Sequence, residues 1–293
     1  MTIQQAYQLL VQQLYALYSD REAQQMADWV LEHITGFKKI DRVLNKQFLL
    51  NNGQEDLLAK YTAQLLDHTP VQYVLEEAWF AGMRLFVNQH VLIPRPETEE
   101  LVEWIISDYA FSANPNLRIA DIGTGSGCIP IALKKKLTTA AITAIDISPD
   151  ALAVAQRNAN SQAVDIDFMQ ADILDNEDWK PLSLFHVIVS NPPYIPKKGA
   201  ADMQSNVLQH EPYIALFVPD DDALLFYKAI ANFGLTHLTT NGHIYVEINE
   251  GLGKEVSLLL ENQGYTDIEL RQDLQGKDRM VKAKRAITFM PSV

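Results

Sequence analysis

The segment 117–137, LRIADIGTGSGCIPIALKKKL, decides how this chain folds. Its first part, LRIADIG, is apolar and β-branched, as a buried strand requires. Its last part, CIPIALKKKL, is predicted to be a helix, and its three lysines, Lys134, Lys135 and Lys136, suit the negative end of a helix dipole. Between the two lies ADIGTGSGC (120–128), where Gly123, Gly125 and Gly127 permit a tight turn and a close approach of backbone to a ligand. Strand, glycine turn and helix in that order open an α/β fold.

The pattern continues downstream. AAITAIDI (140–147) is a strand, and SPDALAVAQRNANS is a helix with Ser148 as N-cap and Pro149 in the first turn. DIDFMQA and FHVIVS are strands, DDALLFYKAIANFGL a helix, GHIYVEI a strand and GKEVSLLLENQG a helix. YTDIELRQD and RMVKAKR pair as a closing antiparallel hairpin around LQGKD. Strands alternating with helices predict a mostly parallel sheet covered on both faces.

Upstream the character differs. IQQAYQLLVQQLYALY, DREAQQMADWVLEHI and NGQEDLLAKYTAQLLDH repeat apolar residues at helical spacing, so residues 1–70 are expected to form a small helical bundle, with Asp20 as an N-cap. Residues 71–93 carry short β-type runs, AWF, RLFV and HVLI, and are read as a β-hairpin linker. Residues 94–293 then form the main domain, opening on PRPETEELVEWIISDYA, a helix with acidic residues in its first turn.

The bulk composition narrows the function. With 293 residues, 47% of them hydrophobic, the chain can bury a proper core. One cysteine, Cys128, excludes an intrachain disulfide framework and fits a reducing cytoplasm. No signal-peptide pattern and no run of roughly 18 apolar residues is present, so no membrane is expected. A net charge of −13 argues against a partner held mainly through phosphates, so no direct nucleic acid is expected. The scattered histidines suggest no metal site.

Four carboxylate and loop positions point to a ligand. The glycine loop, with Thr124 and Ser126 between its glycines, is followed by no Gly-Lys-Ser/Thr, and Cys128 stands where a dinucleotide fingerprint has its third glycine. Asp146 ends the next strand, where a carboxylate suits the two hydroxyls of a ribose. Asp121, just before the glycine turn, would repel a pyrophosphate but attract an ammonium. S-adenosyl-L-methionine has an ammonium, a carboxylate and no phosphate, and matches that set. Asp172 follows the third strand and is placed to accept from an adenine amino group, with Ile173 packing on the base.

The fourth strand ends in SNPPYIP (190–196) at the same sheet edge. An amide or aromatic –NH₂ is a poor nucleophile because its lone pair is delocalised. Two acceptors, the Asn191 side-chain oxygen and the Pro192 carbonyl, can take its two N–H bonds and aim that lone pair at a methyl carbon. Pro192 and Pro193 stiffen the bracket, and Tyr194 offers a flat face for stacking. Adenine, cytosine, glutamine and asparagine all carry such a group. The acidic balance and the helical front domain favour a protein amide over an adenine-amino substrate on nucleic acid.

The chain resembles the HemK-type glutamine methyltransferases that modify peptide chain release factors. The resemblance runs through PVQYVLEEAWFAGMRLFVNQHVLIPRPETEELV, DIGTGSGCIPIAL, IVSNPPYI, HEPYIALF and DLQGKDRMV. It implies a Rossmann-like class I S-adenosylmethionine-dependent methyltransferase sheet behind a helical domain that helps grip the release factor. It implies that Gly123 to Gly127, Asp146 and Ile173 bind the donor, which leaves as S-adenosyl-L-homocysteine. It implies that Asn191, Pro192, Pro193 and Tyr194 hold the glutamine of the Gly-Gly-Gln loop of class I release factors. A glutamine methyltransferase of a ribosomal protein is the sister alternative. His186, read as a surface residue, and His210 depart from the family's pattern, and EINEGLG follows it loosely.

Overall fold

The structure is a computed structural model that describes residues 1–110, 114–179, 182–202 and 205–286. Residues 287–293, the end of the expected main domain, lie outside these. The chain divides into two compact units: Met1–Glu77 together with a short helix, Ser205–His210, and the remainder from Ala78 onward.

The first unit is helical: α1 (Ile3–Leu14), α2 (Asp20–Thr35), α3 (Lys39–Leu44), α4 (Asn52–Leu66) and α5 (Val71–Val74). Each of the three long helices starts on a capping box, Thr2 with Gln5, Ser19 with Glu22 and Asn51 with Gln54. The α2 cap is therefore Ser19, and the expected Asp20 is the first helical residue. The reason is reciprocal pairing: the Ser19 backbone N–H donates to Glu22 at 3.1 Å, a partner Ala23 cannot supply to Asp20. Leu10, Leu14, Ala27, Leu31 and Leu65 close the core of this unit.

The second unit opens on an antiparallel ribbon of β1 (Ala78–Phe80) and β2 (Met83–Leu85). The third expected run, HVLI, is not a strand. Its backbone forms a turn, with the Val91 N–H donating to the Asn88 carbonyl at 3.1 Å, and its apolar side chains are held by packing instead of pairing.

The body follows as α6 (Pro96–Tyr109), β3 (Arg118–Ile122), α7 (Cys128–Lys136), β4 (Ala141–Asp146), α8 (Pro149–Ser161), β5 (Asp167–Gln170), α9 (Asn176–Trp179), β6 (Phe185–Ser190), β7 (Ile195–Pro196) and, after α10 (Ser205–His210) of the first unit, β8 (Phe217–Val218), α11 (Leu225–His237), β9 (Leu238–Glu247), α12 (Gly253–Asn262), β10 (Tyr265–Gln272) and β11 (Asp278–Arg285). The main sheet has seven strands in the order β10-β11-β9-β6-β3-β4-β5. The five from β9 to β5 are parallel, and β10 and β11 close the edge antiparallel. Sheet growth reverses at β3: β4 and β5 lie on one side and β6 on the other.

Alternate strand residues feed two cores. Ile119, Val187, Val189 and Tyr245 face α6 and α7, whereas Ala120, Ile122, Ile188 and Val246 face α11 and α12. The lysines at 134–136 end α7 as predicted, with Lys134 Nζ donating to the Ala140 carbonyl at 2.6 Å.

Gly127 shows why this fold needs a glycine at the start of α7. Its φ is 78°, in the left-handed region, and a Cβ there would lie 3.0 Å from Ala155 Cβ and 3.2 Å from Ala155 Cα on α8. Gly127→Ala is expected to lose on the order of 2–4 kcal/mol, combining left-handed strain with overpacking. Urea denaturation measures this, and a loss below about 0.5 kcal/mol would remove the packing account.

Candidate active site

The five parallel strands end together at one edge of the sheet, and a cleft of about 250 Å³ opens there. Gly123, Thr124, Gly125, Ser126, Asp146, Asp172, Ile173, Asn191, Pro192 and Pro193 line it, so residues read as cofactor- and substrate-binding share one wall. Asp121, Gly127 and Tyr194 do not line it.

The glycine loop is held from beneath. The Gly123 and Thr124 N–H groups donate to the Ile145 carbonyl at 2.8 and 3.0 Å. The Gly125 N–H donates to Asp146 Oδ2 and the Ser148 N–H to Asp146 Oδ1, both at 2.9 Å. Asp146 thus clamps the loop and the start of α8 while facing the cleft. Burial raises its pKa, and these backbone donors oppose the rise. At Gly123 and Gly125, φ is 73° and 53°, and a Cβ would meet nothing within 4 Å. The loop therefore presents bare backbone to the cleft.

Asn158 is a further support, hidden in the helix QRNANS. It is buried, donates to the Ser126 carbonyl at 2.9 Å and to the Phe86 carbonyl at 2.9 Å, and accepts from the Phe86 N–H at 2.7 Å. The visible signal was a polar residue on the apolar stripe of α8.

Asp121 lies behind the loop on the core side, following Ile119 in the strand's alternation. It is fully buried, and neither carboxylate oxygen has a hydrogen-bond partner among the described residues. Burial pushes its carboxyl up to about 7, with the Thr124 hydroxyl beside it opposing the rise and the nearby Asp146 charge adding to it. Asp172 folds back on its own turn, its Oδ1 accepting from the Leu174 N–H at 2.8 Å.

Asn191 leaves β6 beside the glycine loop. The Ser190 hydroxyl donates to the Ile122 carbonyl at 2.7 Å, tying the ends of β6 and β3 together. Asn191 Nδ2 donates to Thr98 Oγ1 at 3.1 Å, and the Thr98 hydroxyl donates to Glu247 Oε2 at 2.6 Å. Oδ1 is the end of the Asn191 amide with no protein partner among the described residues. Thr98 and Glu247 are both buried. Burial pushes the Glu247 carboxyl up to about 7. Neither stands out in the sequence by itself. Glu247 ends a strand, as Asp146 does and as Asp172 nearly does, and that shared position was its signal.

Tyr194 is half-buried, packed against the α11/α12 core, and burial raises its pKa. The loop after it is fixed by the Ile195 N–H, which donates to the Leu216 carbonyl at 3.0 Å, and by pairing of β7 with β8. Glu211 is buried, accepting from the Ile93 N–H at 3.2 Å and from Arg95 at 2.5 Å, which seats the HVLIP turn on the cleft. His186 is not a surface residue: it is half-buried, and its Nδ1 accepts from the Arg118 N–H at 3.0 Å, joining β6 to β3. Burial lowers its pKa, with the Arg118 charge adding to it. Within the first unit, His210 Nε2 lies 2.9 Å from the Asp67 carbonyl.

Comparison with known proteins places this geometry. Residues 5–75 match the PrmC N-terminal domain and residues 108–211 the Methyltransferase small domain. The release factor glutamine methyltransferase of Flavobacterium psychrophilum is 44% identical over 273 residues, covering 93% of this chain and 95% of that protein. The protein of the same name from Bacteroides thetaiotaomicron is 37% identical over 275 residues, covering 94% and 97%. Among solved structures, a methyltransferase from Pyrococcus furiosus matches 78% of this chain and 100% of its own with a TM-score of 0.51 and 14% identity, a likeness of fold.

The Asp121 titration is measurable. The carboxyl rises from 3.8 to about 7 on folding, so the folded state holds the proton more tightly. Its penalty is absent below the unfolded value, grows as pH climbs between the two, and is complete above the folded value. Relative to wild type, Asp121→Asn is therefore expected to have a higher melting temperature at pH 8 than at pH 5. Calorimetry of the ligand-free protein checks this, and equal shifts at both pH values would refute it.

Proposed function

We propose, on the premise that this chain belongs to the family of release factor glutamine methyltransferases, that it methylates the side-chain amide nitrogen of the Gly-Gly-Gln glutamine of class I release factors. The donor in this reading is S-adenosyl-L-methionine. The observation that carries it is the Asn191 amide, anchored through Nδ2 and open at Oδ1, on the same cleft as the glycine loop.

The residues present fit that donor. Bare backbone at Gly123 and Gly125 leaves room for close approach, and the start of α7 supports a carboxylate there. Asp146 is the acceptor for ribose hydroxyls, and Asp172 and Ile173 stand on the wall for the adenine. Asp121 lies behind the loop, off the cleft, and in its ionised form acts on an ammonium through the field. When bound, the donor supplies an electrophilic methyl group on sulfonium sulfur.

The chain's own groups do the rest. Asn191 Oδ1 and the Pro192 carbonyl each accept one N–H of the substrate amide. This turns the nitrogen lone pair out of conjugation and toward the methyl carbon, and it stabilises positive charge growing on nitrogen. With the donor bound, the N–C bond would form as its carbon–sulfur bond breaks. The nitrogen, now acidic, releases its proton to solvent, so no strong base is required. Neither Pro192 nor Pro193 has a backbone N–H to disturb the acceptor set. Tyr194, half-buried against the α11/α12 core, is held in place to offer its remaining face to the substrate.

The direct experiment is mass spectrometry of a class I release factor incubated with this protein and isotopically labelled donor. A single methyl on the Gly-Gly-Gln glutamine is expected; label on another residue, or none, would refute the reading. Asn191→Ala is expected to lower turnover by about 100-fold or more while donor affinity stays measurable. Asp146→Ala is expected to weaken donor binding by about tenfold or more, read by calorimetry, because it removes a charged acceptor and unclamps the loop.

A further inference from the structure

Catalysis as proposed above depends on which end of the Asn191 amide meets the substrate. An amide has two nearly isosteric ends of opposite character. With Oδ1 toward the substrate, Asn191 accepts an N–H and activates. With Nδ2 toward it, two donors face each other and the bracket fails. A rotation of half a turn about one bond separates the two states, so the orientation must be imposed from outside the amide.

The structure contains a polar chain that imposes it. Glu247, at the end of β9, is buried, and in its ionised form, which prevails above about pH 7, it can only accept. Thr98, in the first turn of α6, has one hydroxyl proton, and it goes to Glu247 Oε2 at 2.6 Å. The Thr98 oxygen therefore has only lone pairs left for Asn191. Only the –NH₂ end of the amide can use them, and Nδ2 donates to Thr98 Oγ1 at 3.1 Å. We infer that Glu247 and Thr98 are positioning residues whose hydrogen-bond polarity, running from carboxylate through hydroxyl to amide, fixes Asn191 with Oδ1 toward the substrate amide. This rests on the reading of Asn191 given above.

The alternative role for these two residues is packing. Thr98 sits under the α6 turn and Glu247 beside the core, and both would be buried in any case. Polarity separates the roles. Thr98→Val keeps the shape and removes the hydroxyl. Thr98→Ser keeps the hydroxyl and removes a methyl group. Glu247→Gln keeps the shape and offers Thr98 either a donor or an acceptor, so the hydroxyl proton is no longer committed.

Steady-state kinetics on a release factor, donor binding by calorimetry and nitrogen-15 NMR of the Asn191 side chain test this together. The Asn191 –NH₂ resonance is identified by its loss in Asn191→Ala. Thr98→Val is expected to lower kcat at least about tenfold with little change in KM or in donor affinity, and to speed hydrogen exchange at the Asn191 –NH₂. Thr98→Ser should recover most of the turnover, and Glu247→Gln should fall between. If Thr98→Val fails to fold, Glu247→Gln decides. Wild-type kcat in either Thr98→Val or Glu247→Gln, or a Thr98→Ser protein as slow as Thr98→Val, would overturn the inference. The NMR arm needs no substrate. If the wild-type protein leaves the release factor unmodified, the proposed reaction fails while the orientation of Asn191 is still read.

Discussion

The pairing of β3 with β6 is the constraint on which the active cleft depends. After β5 the chain returns past β3 and lays β6 along its free side, in parallel, with Ile122 opposite Ser190. The strands end level, and the Ser190 hydroxyl bonds the Ile122 carbonyl across the join. The glycine loop that follows β3 and the Asn-Pro-Pro-Tyr turn that follows β6 must then leave the sheet side by side. A crevice at the carboxyl ends of strands, where their order reverses, is the general consequence of this topology. Here it places backbone donors and an amide acceptor on one wall.

Rigidity at the site comes from buried polar groups more than from the loops themselves. Asp146 accepts from two backbone N–H groups, Asn158 uses both ends of its amide, and Glu211 holds the Ile93–Arg95 turn. Thr98 and Glu247 do the same for Asn191. Such groups are costly to bury without partners, so each satisfied set has one preferred geometry. Asp121 is the exception, a fully buried carboxyl with no hydrogen-bond partner among the described residues. Burial raises the carboxyls of Asp121, behind the glycine loop, and of Glu247, behind Thr98 and Asn191.

Much of this was legible in the linear chain. Strands such as FHVIVS announce themselves because they are apolar on both faces, and the glycine turn because glycine fills three left-handed positions at alternate residues, 123, 125 and 127. The misreadings have a common cause. HVLI has strand composition, yet its side chains are buried by packing and its backbone donors go to the Asn88 carbonyl and the Glu211 carboxylate instead of to a strand. His186 looks exposed between apolar residues until the Arg118 N–H on the adjoining strand is brought to it.

The sequence by itself determined the alternation of strand and helix, the bare loop at Gly123–Gly127, the carboxylates at strand ends and the rigid acceptor turn at Asn191. These follow from local properties: side-chain periodicity, backbone freedom at glycine and its loss at proline. Only the tertiary structure decided that Asp121 faces the core, that Tyr194 packs against α11 and α12, and that Asn191 is met by Thr98 from α6 and Glu247 from β9. Those facts depend on which distant segments share a hydrogen bond. A hydroxyl in an acidic first turn and a carboxylate in an apolar strand say nothing of each other until the fold sets them 2.6 Å apart.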